Sequence, residues 1–283
     1  MSKCIVNHLQ PYTFLSATGD IKWRMTNDYV FRIIFQENTV ALTGLTCSLL
    51  HLSESDINSV IVTNPIRLGD AISDKEFRMD VRVILNNSMI LDLEMQISDN
   101  HDWPPRSLCY LSRDYDSLEH GQLYSEVDPV HQFAFLDYTL FKQRPKFYAT
   151  YRMMDEEDHQ IYSDSFAISV IDMKNIHLAT ATDCHYNIDK WVRLFKASSW
   201  EEVRMTTQGN IAMASAAESL YLANADYNII KVARERNDFL REQTIKNQRL
   251  EEQAKALAEK DATIAEMKAE IDRLKAKENN SDK

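Results

Sequence analysis

Glycine is scarce in this 283-residue chain, with five in all, and they form neither a G-x-G-x-x-G loop nor a Walker loop. Such loops let backbone amides close around phosphates, so nucleotide-driven chemistry is not expected. Cysteine is scarce too. Cys4, Cys47, Cys109 and Cys184 are scattered without a C-x-x-C pair, which argues against a zinc knuckle and for a reducing compartment. His177 and His185 stand near Cys184 and read as structural histidines rather than zinc ligands. No apolar run reaches membrane-spanning length, and the first twenty residues lack a signal-peptide core. The expectation is a cytoplasmic protein with no membrane partner. Basic charge is also in deficit: 43 Asp and Glu outnumber 32 Lys and Arg, for a net charge of −11. From residue 233 onward the two signs balance at 12 each, so the preceding residues hold 20 basic against 31 acidic side chains. Phosphate contacts dominate general nucleic-acid binding. Any contact of this chain with DNA must therefore be local, weak, metal-assisted or aided by a partner.

What is present is a strand pair, FRMDVRVILNNSMILDLEMQ. From Phe77 to Leu85 and from Met89 to Ile97 apolar and polar residues alternate, as in half-buried strands. One face carries Met79, Val81, Val83 and Leu85, then Met89, Leu91, Leu93, Met95 and Ile97. The other carries Asp80 and Arg82, then Asp92, Glu94 and Gln96. A three-residue loop at Asn86-Asn87-Ser88, with an Asn in the left-handed region, keeps both apolar sets together. In that register Leu85 pairs with Met89, Val81 with Leu93, and Asp80 lies opposite Glu94. Like charges directly opposed are destabilising, and a divalent cation between them converts the repulsion into affinity. The alternative needs no metal: Arg82 faces Asp92 and Arg78 faces Gln96, giving a solvated, salt-bridged sheet face.

Around this pair the periodicities predict helices near 26–36 and 39–51 and a strand near 57–66. A helix follows the hairpin, from an N-cap at Asp102 through Pro104 and Pro105 to about Gly121. On it Arg106, Tyr110 and Arg113, at i, i+4 and i+7, share one face. Arginine grips phosphate bidentately and tyrosine stacks or hydrogen-bonds, so this stripe is a phosphate-binding candidate or a solvated helix face. Strands near 129–141 and 163–173 and short helices near 189–195 and 198–205 come next. The expected fold is α/β, a mixed sheet flanked by helices in the order α-β-β-β-α-β.

Several stretches resemble the PD-(D/E)XK nuclease superfamily, in particular its recombination-promoting nuclease and transposase branch. They are TNDYVFRIIF, RMDVRV, LDLEMQ, RSLCYLSRDYDSLEHGQLY and PVHQFAFLDYTLF. The resemblance covers residues 24 to 142 well and extends loosely to about 235. It implies a restriction-endonuclease-like core and phosphodiester hydrolysis. Asp80 and Glu94 would hold Mg²⁺ (or Mn²⁺) together with the backbone carbonyl of Met95. Most of the superfamily places a Lys two residues after the second acid, whereas this chain has Gln96. Gln96 can orient a water but brings no positive charge, so electrostatic stabilisation falls on metal or arginine. The resemblance also suggests Asp28, at the start of the first helix, as a further metal ligand, against the plainer role of charging or capping that helix. It likewise favours Arg106 as a phosphate contact.

From about Ile211 the chain reads as helical, with no Gly or Pro after Gly209. Leu250, Leu257, Ile264 and Ile271 recur every seven residues, with Met267 and Leu274 complementing them late on. This predicts a coiled coil and a homodimer through the C-terminal helix, against a single charged helix held by i, i+4 pairs. Three regions are expected: a nuclease-like core at 1–147, a mixed extension at 148–232, and the long charged helix at 233–283. Three functions remain open. They are a Mg²⁺-dependent DNA endonuclease, a catalytically weakened fold serving as a coiled-coil interaction or assembly protein, and a nuclease acting on RNA.

Overall fold

The computed structural model describes residues 12–65, 81–86, 88–116 and 122–281, with side chains given up to residue 269. Helix α1 (Asp28–Glu37) begins where the Asn27 side chain accepts the Val30 amide at 3.0 Å. Asn38 ends that helix and starts α2 (Thr39–Leu50) by accepting the Ala41 amide at 2.9 Å. Capping in this way satisfies an amide that the helix itself leaves without a partner. Eight of the ten residues of α1 are buried, from Asp28 through Phe35.

Six strands follow: β1 (Val60–Val62), β2 (Val81–Leu85), β3 (Met89–Gln96), β4 (Val130–Leu136), β5 (Tyr148–Arg152) and β6 (Phe166–Asp172). They form one mixed sheet in the order β1-β2-β3-β4-β6-β5. The β1–β2–β3 section is antiparallel, β3, β4 and β6 run parallel, and β5 closes the edge antiparallel to β6. The hairpin has the register its alternation requires: Val81 pairs with Leu93, Arg82 with Asp92 and Leu85 with Met89. Asn86 takes the left-handed turn position at φ 52°. Its carboxamide oxygen also accepts the Asn58 amide at 2.7 Å, tying the turn to the entry of β1.

Helix α3 (Trp103–Tyr115) packs on one sheet face, where Trp103, Ala134, Leu136, Tyr138 and Val170 cluster. The other face carries the main core. There α1, α2, α5 (Ile188–Lys196) and α7 (Ile211–Ala225) bring Phe31, Phe35, Trp191 and Phe195 onto Phe133 and Phe135. Gly44 marks the closest helix approach, since a Cβ there would lie 2.2 Å from the Ala212 Cβ. Short helices α4 (Ala181–His185) and α6 (Trp200–Thr207) complete this layer.

The sheet and helices agree with the expected α/β order, and particular elements differ. The strand expected at 57–66 is reduced to three residues. β5 was not anticipated, because Tyr148–Arg152 is an edge strand with no buried residue to set an alternation. Asp102 stands at the N-cap of α3, but its side chain makes no capping bond. The residues expected to extend that helix to Gly121 lie outside the described ones.

The chain divides into two compact units, Met1–Arg236 and Asn237–Lys283. Helix α8 (Tyr227–Ser281) starts in the first, where Ile229 and Ala233 are buried. In the second, Leu250, Leu257 and Ile264 are exposed at 54%, 61% and 49%. Among the described residues no single helix is long and apolar enough to cross a membrane.

Candidate active site

β3 is covered on both sides, so its polar residues are not on a solvated face. Asp92 and Glu94 are each 1% exposed, as completely shut from water as Leu93 between them. This corrects the expectation of an exposed, salt-bridged face. Arg82 lies opposite Asp92 in register, yet its guanidinium turns to α3 and donates from Nε to Asp114 Oδ1 at 2.9 Å. Asp92 Oδ2 instead accepts from Gln132 Nε2 at 3.3 Å on the neighbouring parallel strand. The sequence gives Arg82 two acids within reach, and only packing decides between them.

The second ion pair of this seam is built around Arg106. Trp103, Ser107, Tyr110, Leu111 and Asp114 make the buried stripe of α3, and Arg106 sits on its flank above the end of β3. The three guanidinium nitrogens are all engaged. Nη2 donates to Glu94 Oε1 at 2.5 Å, Nη1 to Gln96 Oε1 at 3.2 Å and Nε to Tyr110 Oη at 3.1 Å. Gln96 in turn donates from Nε2 to the Ser98 carbonyl at 2.9 Å, which fixes the orientation of its amide. An ionised partner and a fixed fork make this a strong contact in a site shut from water. Glu94, Gln96, Arg106 and Tyr110 are thus brought together. Arg113 is not: it is exposed and has no hydrogen-bond or ion-pair partner among the described residues.

Asp28 has partners of its own. Its Oδ1 accepts the Tyr29 amide at 2.8 Å and its Oδ2 accepts from Arg236 Nε at 2.7 Å. This is a buried ion pair joining the start of α1 to the first turns of α8. Capping falls to Asn27, whose amide nitrogen also reaches the Ala233 carbonyl at 3.4 Å. Among the described residues no group of three or more His, Cys, Asp and Glu side chains is placed to hold a metal ion. Asp80, and with it the expected opposition of Asp80 to Glu94, lies outside the described residues. The Met95 side chain is 4% exposed and belongs to the apolar core, so the side chain itself is not part of a ligand set.

The donor chemistry fits a hard divalent cation. Around Glu94 the groups on this face are oxygen donors, with no cysteine or histidine among Asp92, Gln96 and Gln132. Gln132 Oε1 is buried and has no hydrogen-bond partner among the described residues, a cost that a site built only for stability would avoid. Tyr138 borders the same region. Burial pushes its hydroxyl well above the ordinary tyrosine range. The carboxylates of Asp99 and Asp102 and, more weakly, of Glu94 add to the rise, and Arg106 opposes it. It remains a neutral donor at any physiological pH. Gln132, Asp114 and Tyr138 were missed from the sequence. The one available signal was Gln132 standing directly before the apolar run FAFL.

No curated protein and no solved structure matches the chain. A family model described as PD-(D/E)XK nuclease family transposase matches residues 25–249, which span α1 through the early part of α8 and include the whole sheet. The chain belongs to the PD-(D/E)XK nuclease family of transposases.

Proposed function

We propose that this protein is a metal-dependent DNA endonuclease acting in the cytoplasm. In this reading Asp80 and Glu94 hold Mg²⁺ or Mn²⁺, and the Met95 carbonyl completes the protein's share of the ligands. The observation that carries it is the Arg106 fork on Glu94 and Gln96. Gln96 stands where the superfamily usually has Lys and brings no charge of its own. Arg106 supplies a permanent cation one hydrogen bond away, delivered from α3 rather than from the strand.

The bound ion supplies Lewis acidity toward a phosphoryl oxygen and lowers the pKa of a water it carries. Everything else is done by the chain. Glu94, held in one rotamer by Arg106, presents its carboxylate without reorganisation. The amide of Gln96, fixed by Ser98, orients the attacking water. Arg106 and Tyr110 meet the negative charge that develops on the phosphate. Water exclusion by α3 strengthens each of these contacts.

Cleavage of supercoiled plasmid, single-stranded DNA and RNA by the full-length chain, with and without Mg²⁺, tests the reading. Metal-dependent DNA cleavage is expected, lost in Asp80→Asn and Glu94→Gln and slowed about 10²–10³-fold in Gln96→Ala. Cleavage confined to RNA would reassign the substrate. No cleavage with any divalent ion would favour an interaction protein. One observation supports that second reading: the exposed stripe of Leu250, Leu257 and Ile264 on α8. Burying each in a homodimeric coiled coil would contribute roughly 1.5–3 kcal/mol. Sedimentation of the full-length chain at micromolar concentration should therefore give a dimer, and a monomer would remove the coiled coil from the account.

A further inference from the structure

An acidic nuclease still has to hold a polyanion, and one groove answers that need. It lies between α5, α6 and the turn around Ile176, has a volume of about 640 Å³, and includes Lys190, Arg193 and Lys196 in its wall. These three recur every third residue because Ile188, Trp191, Val192, Leu194 and Phe195 occupy the buried side of α5. Asp189 and Glu202 also line the groove, and both are engaged locally. Glu202 accepts the Ser198 amide at 2.7 Å and hydroxyl at 3.1 Å, while Asp189 lies 3.7 Å from Arg193. Lys190 has no hydrogen-bond or ion-pair partner among the described residues, and Arg193 is 58% exposed.

The groove is linked to the end of β3 through Asp137. Lys196 Nζ donates to Asp137 Oδ1 at 2.9 Å and to the Met173 carbonyl at 3.3 Å. The Asp137 amide donates to the Gln96 carbonyl at 3.0 Å. Two hydrogen bonds therefore connect the end of the cationic row to the end of β3. The first turn of α3, through Trp103 on Leu136, and the last turn of α5, through Lys196 on Asp137, lie at the carboxyl ends of the parallel strands, the edge where open α/β sheets receive ligands.

Resting on the nuclease reading, we propose that Lys190, Arg193 and Lys196 form a phosphate track that carries the substrate backbone away from the Glu94–Gln96–Arg106 site. The row covers about 9 Å of helix axis, the axial rise of two to three phosphates of one strand of a duplex. Local charge of this kind lets a chain of net charge −11 engage DNA without a basic surface overall. The track is sequence-blind, since phosphate contacts position a substrate without reading bases.

The test uses full-length protein and a fluorescently labelled 30-base-pair DNA duplex in EDTA, which prevents hydrolysis, titrated by anisotropy from about 50 to 200 mM salt. Lys190→Ala/Arg193→Ala should weaken binding at every salt concentration and make the log–log salt dependence shallower by about 2. Lys190 is exposed, while Arg193 pairs with the mostly buried Asp189, so Lys190→Ala alone, with no change in melting temperature and a slope shallower by about 1, serves as the second variant. Lys142→Ala/Lys146→Ala, which removes the same charge away from the groove, should leave the slope unchanged. Equal affinity and slope for wild type and the α5 double variant would overturn the track while leaving metal-dependent cleavage untouched. A wild type that neither binds nor cuts DNA would overturn both.

Discussion

Leu93 and Glu94 are neighbours on one strand, equally removed from water, and they face opposite worlds. Leu93 points into a layer of aromatic rings, where Phe31, Phe35, Phe135 and Phe195 meet at centroid distances of 4.7 to 6.0 Å. Glu94 points into a seam of carboxylates, amides and arginines under α3. The first face needs no explanation beyond burial, at roughly 1.5–3 kcal/mol per large side chain. The second works against stability, because desolvating an ion costs several kcal/mol and the ion pair only partly offsets it. A strand selected for folding alone would carry aliphatic residues on both faces, as parallel strands commonly do. On the proposed nuclease reading, the difference between the faces marks where the fold gives up stability for chemistry.

Truncation on the two faces should separate these roles. Phe135→Ala removes a ring from the aromatic layer and should cost about 3–5 kcal/mol, a fall in melting temperature on the order of 10 °C. Cleavage per folded molecule should stay near wild type. Arg106→Ala should destabilise by a similar amount, about 3–5 kcal/mol, because it takes the cation from a buried carboxylate. Here cleavage should fall as well, even well below the melting temperature. Calorimetry paired with single-turnover cleavage separates the two. Equal loss of cleavage per folded molecule in both variants would erase the functional distinction between the faces.

The apolar face also holds polar groups, and pH sharpens the contrast there. His131 stacks on Phe133 with ring centroids 4.1 Å apart and shares a hydrogen bond of 2.8 Å with Ser169. Burial first, and the nearby Arg152 charge second, lower its pKa from 6.5 to about 4. The unfolded chain takes up this proton near pH 6.5 and the folded chain only near pH 4. The folded state is thus fully favoured above about pH 6.5 and loses up to about 3 kcal/mol as pH falls to 4. His131→Gln should flatten the stability profile across that window in urea titrations. A profile of unchanged slope would mean that His131 is already protonated in the folded protein.

How much of this was legible in the sequence follows from which residues carry local information. The hairpin register was readable because a one-residue slip would turn Arg82 into the aromatic core and Val83 into the polar seam under α3, and the Asn86 turn fixes the loop length. The grouping of Glu94, Gln96, Arg106 and Tyr110 rests on spacing along one strand and one helix, and the structure brings them together. What escaped was the choice among partners. Arg82 takes Asp114 rather than Asp92, and Asp28 takes Arg236, 208 residues away. Such pairings are decided by how helices dock, which no local period encodes. β5 escaped for a related reason, since an edge strand half open to solvent has no buried face to impose alternation.

The central claim is that the Glu94–Arg106 pair is kept for chemistry and not for folding. Glu94→Leu/Arg106→Leu, made in the full-length chain, tests this in a single preparation assayed for thermal stability and for Mg²⁺-dependent plasmid cleavage. Replacing a buried ion pair by well-packed aliphatics is often neutral or stabilising by about 1–4 kcal/mol. The expected result is a protein that melts at or above the wild-type temperature and cuts nothing. A variant that melts well below wild type, or one that still cleaves DNA in Mg²⁺, would contradict the account.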